Sequence, residues 1–328
     1  MKRTNYLLLF FGTGFLIMLG LFFLSNKEAT YEEQQNNFPK QEVNQFLQII
    51  SAPIPDQVDF CGETIALNRM DLRERYDREI NTFMYLHATT TLYLKRANRY
   101  FPVIEPILKK NNIPDDFKYL CVIESNLDIR ALSTASAAGL WQLLSGTGKE
   151  YGLEISSEVD ERYHIEKATE AACRYLRTAY SRYGSWVNAS ASYNAGMARI
   201  STSLSDQKVS STLDLLLVTE TSRYVFRILA IKQIFENPSL YGFFLNKENL
   251  YPYIPVQKVS IDRTIEDLAT FSLEYGLNYL LLKEFNPWLR ENKLTVRAGK
   301  TYILDIPKKE DLYYDPKITK IHDKRWVQ

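Results

Sequence analysis

Apolar side chains recur along most of this chain at helical spacing, with polar ones filling the positions between. From Asp71 to about Ala97, the residues Leu72, Tyr76, Ile80, Phe83, Leu86 and Leu92 mark one apolar side. Arginines and glutamates fill the other, which predicts a long amphipathic helix. A second helix is expected over Phe101–Lys110. Others follow at Lys167–Tyr183, Val187–Tyr193 and Ser222–Phe235, the last ended by Asn237-Pro238. After Tyr251-Pro252-Tyr253-Ile254-Pro255 the pattern changes. Val256–Ile261 reads as a strand, Thr264–Tyr275 and Asn278–Phe285 as two short helices, and Thr301–Ile306 as a closing strand. The expected fold is mainly α: a helical domain with a long N-terminal helical arm, followed by a small β-α-α-β module.

Ahead of the helices, Lys2 and Arg3 precede an apolar stretch from Tyr6 to Leu24. That length can span a bilayer, and the positive flank puts the N-terminus in the cytoplasm. A membrane anchor is therefore expected, with a cleaved signal peptide as the alternative. Against cleavage, Leu21–Asn26 offers no small-x-small site, and no Cys follows to accept a lipid. By either route the remainder is exported to the periplasm. The expected order is an anchor or signal at 1–27, a polar linker at 28–66, a helical arm at 67–113 and a main domain at 114–250. A module at 251–308 and a tail at 309–328, with no role assigned, complete it. The linker is polar, carries Gln-Gln-Asn-Asn and three prolines, and is given one short helix at Val43–Ile50.

Composition narrows the chemistry. With 328 residues and 45% hydrophobic content the chain can bury a sizeable core. Lys+Arg 40 against Asp+Glu 39, with no basic run interleaved with aromatics, argues against nucleic acid as a partner. Cys61, Cys121 and Cys173 are too few for a disulfide framework; Cys121 and Cys173 could pair, but buried free thiols are the expectation. His87, His164 and His322 lack metal-ligand spacing, so zinc is not expected, and the expectation is that no metal or cofactor is used. Gly146-Thr147-Gly148-Lys149 is similar to the end of a phosphate loop. It lacks the upstream spacing and the Ser/Thr after Lys, and reads as a plain loop.

The most informative position is Glu124. Pro114 and the acidic pair Asp115-Asp116 suit the first turn of a helix. Phe117, Leu120, Cys121 and Glu124 then fall on one face, which places a carboxylate in an apolar stripe. Desolvation raises a carboxyl pKa, and a raised pKa suits a general acid near neutral pH. A capping or salt-bridged glutamate at the end of a buried helix is the plainer alternative. Downstream stand Ser133, then Ala138-Gly139-Leu140-Trp141-Gln142, Thr147, and much later Tyr193-Asn194-Ala195-Gly196. Together with Val159-Asp160-Glu161-Arg162, Lys167–Ala172 and Glu220–Val225, these resemble the catalytic domain of the lytic murein transglycosylases, the membrane-bound D type in particular, over residues 60–250. Two positions depart from that pattern: Leu144-Ser145-Gly146-Thr147 stands where Met-Pro-x-Thr is commoner, and Met197 where a Pro usually follows Asn-Ala-Gly.

The resemblance implies a goose-lysozyme-like fold and one-carboxylate cleavage of peptidoglycan strands. Glu124 would protonate the bond between N-acetylmuramic acid and N-acetylglucosamine. The substrate's N-acetyl group would steady the cation, and Glu124 would then take the C6 hydroxyl proton to leave a 1,6-anhydro end. Ser133 and Gln142 would hydrogen-bond the sugar or orient Glu124. Tyr193 would place a phenol near the carboxylate, Asn194 would hold its loop, and Glu220 would be a second acidic residue near the cleft or an ion-pair partner of Arg223 or another base. Gly139 and Gly196 would let backbone approach the glycan or take positive φ, and Trp141 would stack on a sugar or sit in the core. Asp128, beyond the expected helix end at Ser125-Asn126, reads as a capping or solvated residue rather than a second catalytic carboxylate. The ending from Gly299 to Pro307 resembles a LysM glycan-binding module, with Arg263-Thr264 where Gly-Asp-Thr is usual. A water-using lysozyme-type hydrolase, a non-catalytic wall-binding scaffold and a tethered assembly factor are the rival readings.

Overall fold

The computed structural model describes residues 50–328 apart from 316 and 318. The apolar segment Tyr6–Leu24 and nearly all of the helix expected at Val43–Ile50 lie outside the described residues. Among the described residues, no helix is long and apolar enough to cross a membrane. From Ala52 to the C-terminus the chain forms one unit, mainly helical, with two small two-stranded antiparallel sheets.

The end of the expected linker is folded. Strands β1 (Gln57–Phe60) and β2 (Glu63–Ala66) pair as a hairpin, turned by Cys61-Gly62 with φ of 57° and 82°. Positive φ at both turn residues is the geometry that matches strand twist in a two-residue hairpin. The hairpin packs because its apolar residues alternate: Val58, Phe60 and Ile65 are buried, and Leu67 follows them into the core. A stretch this short carries only two or three such positions, which its polar neighbours mask in sequence.

Helix α1 (Met70–Tyr85) buries Leu72, Tyr76, Ile80 and Phe83, as its stripe predicts. The expected continuation to Ala97 breaks at Leu86, where ψ is 54°. Thr90 Oγ1 donates to the Phe83 carbonyl at 2.7 Å and so satisfies an acceptor at the break. Helix α2 (His87–Lys110) then runs on without the interruption expected near residue 100, passing Pro102 and Pro106. Each proline removes one hydrogen bond, yet Ala97, Phe101, Ile104 and Leu108 are fully buried and hold the helix on the core.

A 3₁₀ turn at Asp115–Phe117 leads into α3 (Lys118–Ser125). The Gly146–Lys149 run, expected as a loop, lies within a short helix, α4 (Ser145–Glu150). Helices α5 (Ile165–Tyr183), α6 (Trp186–Ala195), α7 (Met197–Gln207) and α8 (Thr219–Glu236) complete the main domain, and α8 packs along α1. The hairpin positions two of them. Glu63 accepts from Ser185 Oγ at 2.8 Å and from the Trp186 backbone N–H, capping α6. Lys232 of α8 donates to the Asp59 carbonyl at 2.9 Å and to Asp116 at 2.7 Å. Cys121 and Cys173 are buried free thiols, and Cys61 is free as well.

The C-terminal module follows the expected order: β3 (Val256–Ile261), α9 (Leu268–Glu274), α10 (Tyr279–Phe285) and β4 (Tyr302–Pro307), with β3 and β4 paired antiparallel. The chain then returns to the main domain. Trp326 is buried among Phe101 and Phe235 and donates to the Phe235 carbonyl at 3.0 Å. Val327 bridges Leu245, and His322 meets Glu105 at 3.0 Å.

Candidate active site

Helix α3 delivers Glu124 as its apolar stripe predicts. Phe117, Leu120 and Cys121 are fully buried, whereas Glu124, last of the four, is partly exposed at the helix end. Asn126 stops the helix in the left-handed conformation, φ 56°. Asp128 lies beyond it, where its carboxylate accepts from the Arg130 N–H at 2.9 Å, a turn-capping role.

Burial pushes the Glu124 carboxyl up to about 7, against a hydrogen bond from Tyr224 and the positive charge of Arg227, while the charge of Glu220 adds to the rise. The Tyr224 hydroxyl donates to Glu124 Oε1. Tyr224 is itself buried on α8, and burial and the neighbouring carboxylate hold its phenol well above the usual range, so it stays a donor. At neutral pH Glu124 is therefore divided between acid and carboxylate, and Tyr224 fixes the orientation of the group.

Tyr193, the phenol expected beside the carboxylate, lies close enough to feel its charge, yet its hydroxyl donates to the Trp141 carbonyl at 2.7 Å. Asn194 accepts from Thr221 Oγ1 at 2.9 Å and so ties the end of α6 to the first turn of α8. That turn carries Glu220, which is exposed. Arg223 does not pair with Glu220: its guanidinium holds the buried Glu79 at 2.8 and 2.9 Å.

Ser133 and Gln142 stand on the loop between α3 and α4, both partly exposed. Ser133 Oγ accepts from the Ala137 N–H at 3.0 Å. Gln142, at φ 45°, donates from Nε2 to the carbonyls of Gly139 at 2.9 Å and Ala131 at 3.2 Å. Both side chains therefore shape the loop as well as face outward from it. Trp141 belongs to the core: it is fully buried and donates to Thr169 Oγ1 at 2.8 Å. Gly139 has φ 75°, and a Cβ there would lie 2.0 Å from the Arg162 carbonyl oxygen. The backbone that needs this glycine is the protein's own.

Two residues, Tyr224 and Arg162, lie in runs that carry the resemblance, yet the sequence assigns neither of them a role. Glu220, Tyr224 and Arg227 fall at i, i+4 and i+7 on α8, one helical face. That spacing was the available signal for a phenol beside Glu124. Arg162 stands in the Val159–Arg162 run, but its role does not show there, because the Ser136 and Leu143 carbonyls it holds are brought to it only by the fold.

The family described as transglycosylase SLT domain matches residues 101–214, and the soluble lytic transglycosylase C-terminal LysM-like domain matches residues 257–310. The chain is 29% identical over 266 residues to membrane-bound lytic murein transglycosylase D of Escherichia coli, covering 79% of this chain and 57% of that protein. It therefore spans little more than half the length of that relative. Among solved structures, lytic transglycosylase Slt of Pseudomonas aeruginosa is 24% identical with a TM-score of 0.35, covering 42% of this chain and 24% of the other. The 70 kDa soluble lytic transglycosylase of Escherichia coli is 19% identical with a TM-score of 0.39, covering 49% and 30%. Residues 101–214 thus match a transglycosylase SLT domain and residues 257–310 a LysM-like domain, and over most of its length the chain is similar to a membrane-bound lytic murein transglycosylase.

Proposed function

We propose that this chain cleaves the β-1,4 bond between N-acetylmuramic acid and N-acetylglucosamine in peptidoglycan without water. The observation that carries the reading is Glu124, a carboxyl on an apolar helix face that burial pushes up to about 7 and that the Tyr224 hydroxyl orients. Protonated Glu124 gives its proton to the glycosidic oxygen, which leaves as the C4 hydroxyl of N-acetylglucosamine. The muramic acid C1 becomes cationic, and the carbonyl oxygen of its own N-acetyl group closes on it. Ionised Glu124 then takes the proton of the C6 hydroxyl, whose oxygen bonds to C1 as the N-acetyl oxygen departs. The product is a 1,6-anhydro end, and Glu124 is protonated again.

One group serving as acid and then base works best with a pKa near ambient pH, and burial supplies that value here. Tyr224 steadies the ionised state between the two steps. Ser133 and Gln142 grip the sugar, Tyr193 and Asn194 hold the wall of the cleft, and Glu220 lies at its edge. In this reading the protein works in the periplasm, held to the membrane by Tyr6–Leu24, and the C-terminal module binds glycan.

Digestion of purified sacculi with product masses tests the reaction. Products carrying 1,6-anhydro ends support it, and reducing ends formed by water uptake would overturn it in favour of hydrolysis. An N-terminal sequence starting near Lys27, with the protein released into the soluble periplasm, would replace the anchor by a cleaved signal.

A further inference from the structure

The C-terminal module meets the main domain largely through residues 154–166, and the same segment holds the loop bearing Ser133 and Gln142. On the module side, Val159 bridges Leu289, and the Asp160 N–H donates to the Trp288 carbonyl at 2.8 Å. The Arg290 N–H donates to the Glu158 carbonyl at 2.8 Å, and the Thr295 N–H donates to the Glu158 carboxylate at 2.7 Å. Trp288 stacks on His164 with ring centroids 5.9 Å apart.

On the loop side, the buried Arg162 guanidinium is held by Asp160 at 2.7 Å and donates to the carbonyls of Ser136 at 2.7 Å and Leu143 at 3.1 Å. Gly139 closes against the Arg162 backbone. Ala138, which lies between Ser133 and Gln142, is buried in the module's own core with Val159, Tyr163, Trp288 and Leu289.

A guanidinium carries five donors in a fixed fork and, once buried, must have them met. The loop carbonyls meet two of them, so the loop takes the shape that Arg162 allows. Asp160 sets the guanidinium, the Trp288 carbonyl fixes the Asp160 backbone, and the Trp288 ring, against His164 and in one core with Ala138, Val159 and Tyr163, holds that carbonyl in place. Resting on the function proposed above, we infer that the C-terminal module is part of the framework of the active site. It positions the Ser133–Gln142 loop through Asp160 and Arg162, independently of any glycan it binds. Asp160, Arg162 and Trp288 are positioning residues for the reaction.

The test uses the full chain with Trp288→Ala, Trp288→Phe and Asp160→Asn, acting on a short soluble glycan fragment. Trp288→Ala should raise KM roughly 10-fold, about one lost hydrogen bond to the sugar. A loss of folded molecules lowers kcat alone and leaves KM unchanged. Trp288→Phe keeps a ring against His164 and should restore most of the affinity. The alkaline limb of the pH profile should stay in place in all three, because Glu124 and Tyr224 lie on helices outside the loop.

Amide hydrogen exchange gives a readout that needs no activity. Residues 131–143 should exchange faster in Trp288→Ala while α3 and α8 remain protected. If Trp288→Ala does not fold, Asp160→Asn carries both measurements. Wild-type KM and wild-type loop protection in a folded variant would overturn the inference. A wild-type chain that leaves glycan uncut would instead refute the proposed function, and the exchange measurement would still decide the positioning.

Discussion

Deleting one oxygen atom, in Tyr224→Phe, measures how Glu124 is tuned. The ring is 3% exposed, so phenylalanine keeps the packing and removes only the hydroxyl that donates to Glu124 Oε1. A hydrogen bond to a charged group contributes roughly 1.5–3 kcal/mol, and about 1.4 kcal/mol is one pKa unit. If all of it favoured the carboxylate, the shift would lie between about one and two units. The protonated acid can accept the same bond, so about one unit is the expected change. The bond favours the ionised form, and its loss therefore moves the pKa upward, from about 7 to roughly 8. In the proposed reaction the first step needs protonated Glu124, so activity should be full below the pKa and fall as pH rises through it. Initial rates of kcat/KM on soluble glycan, taken from about pH 5 to about pH 10, should show the alkaline limb displaced upward by about one unit. A limb that stays in place, or moves toward acid, would refute the assignment of Tyr224 as the donor that tunes this carboxyl.

Glu124→Gln should lower turnover by about 10² to 10⁴, toward the upper end because the proposed reaction gives one residue both proton transfers; near wild-type digestion of sacculi by the folded variant would sink the assignment. The same substitution should stabilise the fold at alkaline pH. Glu124 is raised from 4.5 to about 7, so its contribution is fully present below the lower value and lost as pH rises through the higher one. The gain of the glutamine variant should therefore grow across that window to at most about 3 kcal/mol, and denaturant melts with the same pH dependence for both proteins would contradict it. Gly139→Ala should cost about 2–4 kcal/mol, since its Cβ would lie 2.0 Å from the Arg162 oxygen; an unchanged melting temperature would show that the loop gives way freely. Trp326→Ala should cost about 3–5 kcal/mol in urea melts, and a loss within error would mean that the returning tail does not stabilise the core.

What was legible in the sequence follows from how each residue is held. Glu124 and the stripe beneath it were legible because one helix sets their relation, and helical spacing is written in residue number. The same holds for the strands and helices of the module, whose bounds shift by only a few residues, with Asp267 and Asn278 accepting backbone N–H groups as N-caps. The hairpin at 57–66 was hidden because its purpose is tertiary: Glu63 caps α6 from far along the chain, and Asp59 receives Lys232. Trp326 was hidden for the same reason, since a lone tryptophan in a charged tail carries no period that would reveal the pocket it fills. Tyr224 could have been found from its spacing on α8; the choice of Tyr193 instead followed the resemblance, which put a phenol near the carboxylate without saying which bond it makes.

The two departures from the family pattern have a common physical explanation. Ser145, where a proline is commoner, is the first residue of α4, and Met197 is the first residue of α7. At a helix start the backbone N–H has no partner within the helix, so proline is tolerated there but not required. A residue other than proline there mainly gives the unfolded chain more freedom, worth about 0.4–1 kcal/mol at each site. Gly196 still supplies the turn between α6 and α7 at φ 84°. Met197 adds a fixed point of its own, its carbonyl accepting from the Tyr183 hydroxyl at 2.7 Å. Neither substitution reaches Gln142 or Tyr193, whose positions depend on Gly139, Trp141 and the Glu63 cap, all of which are in place.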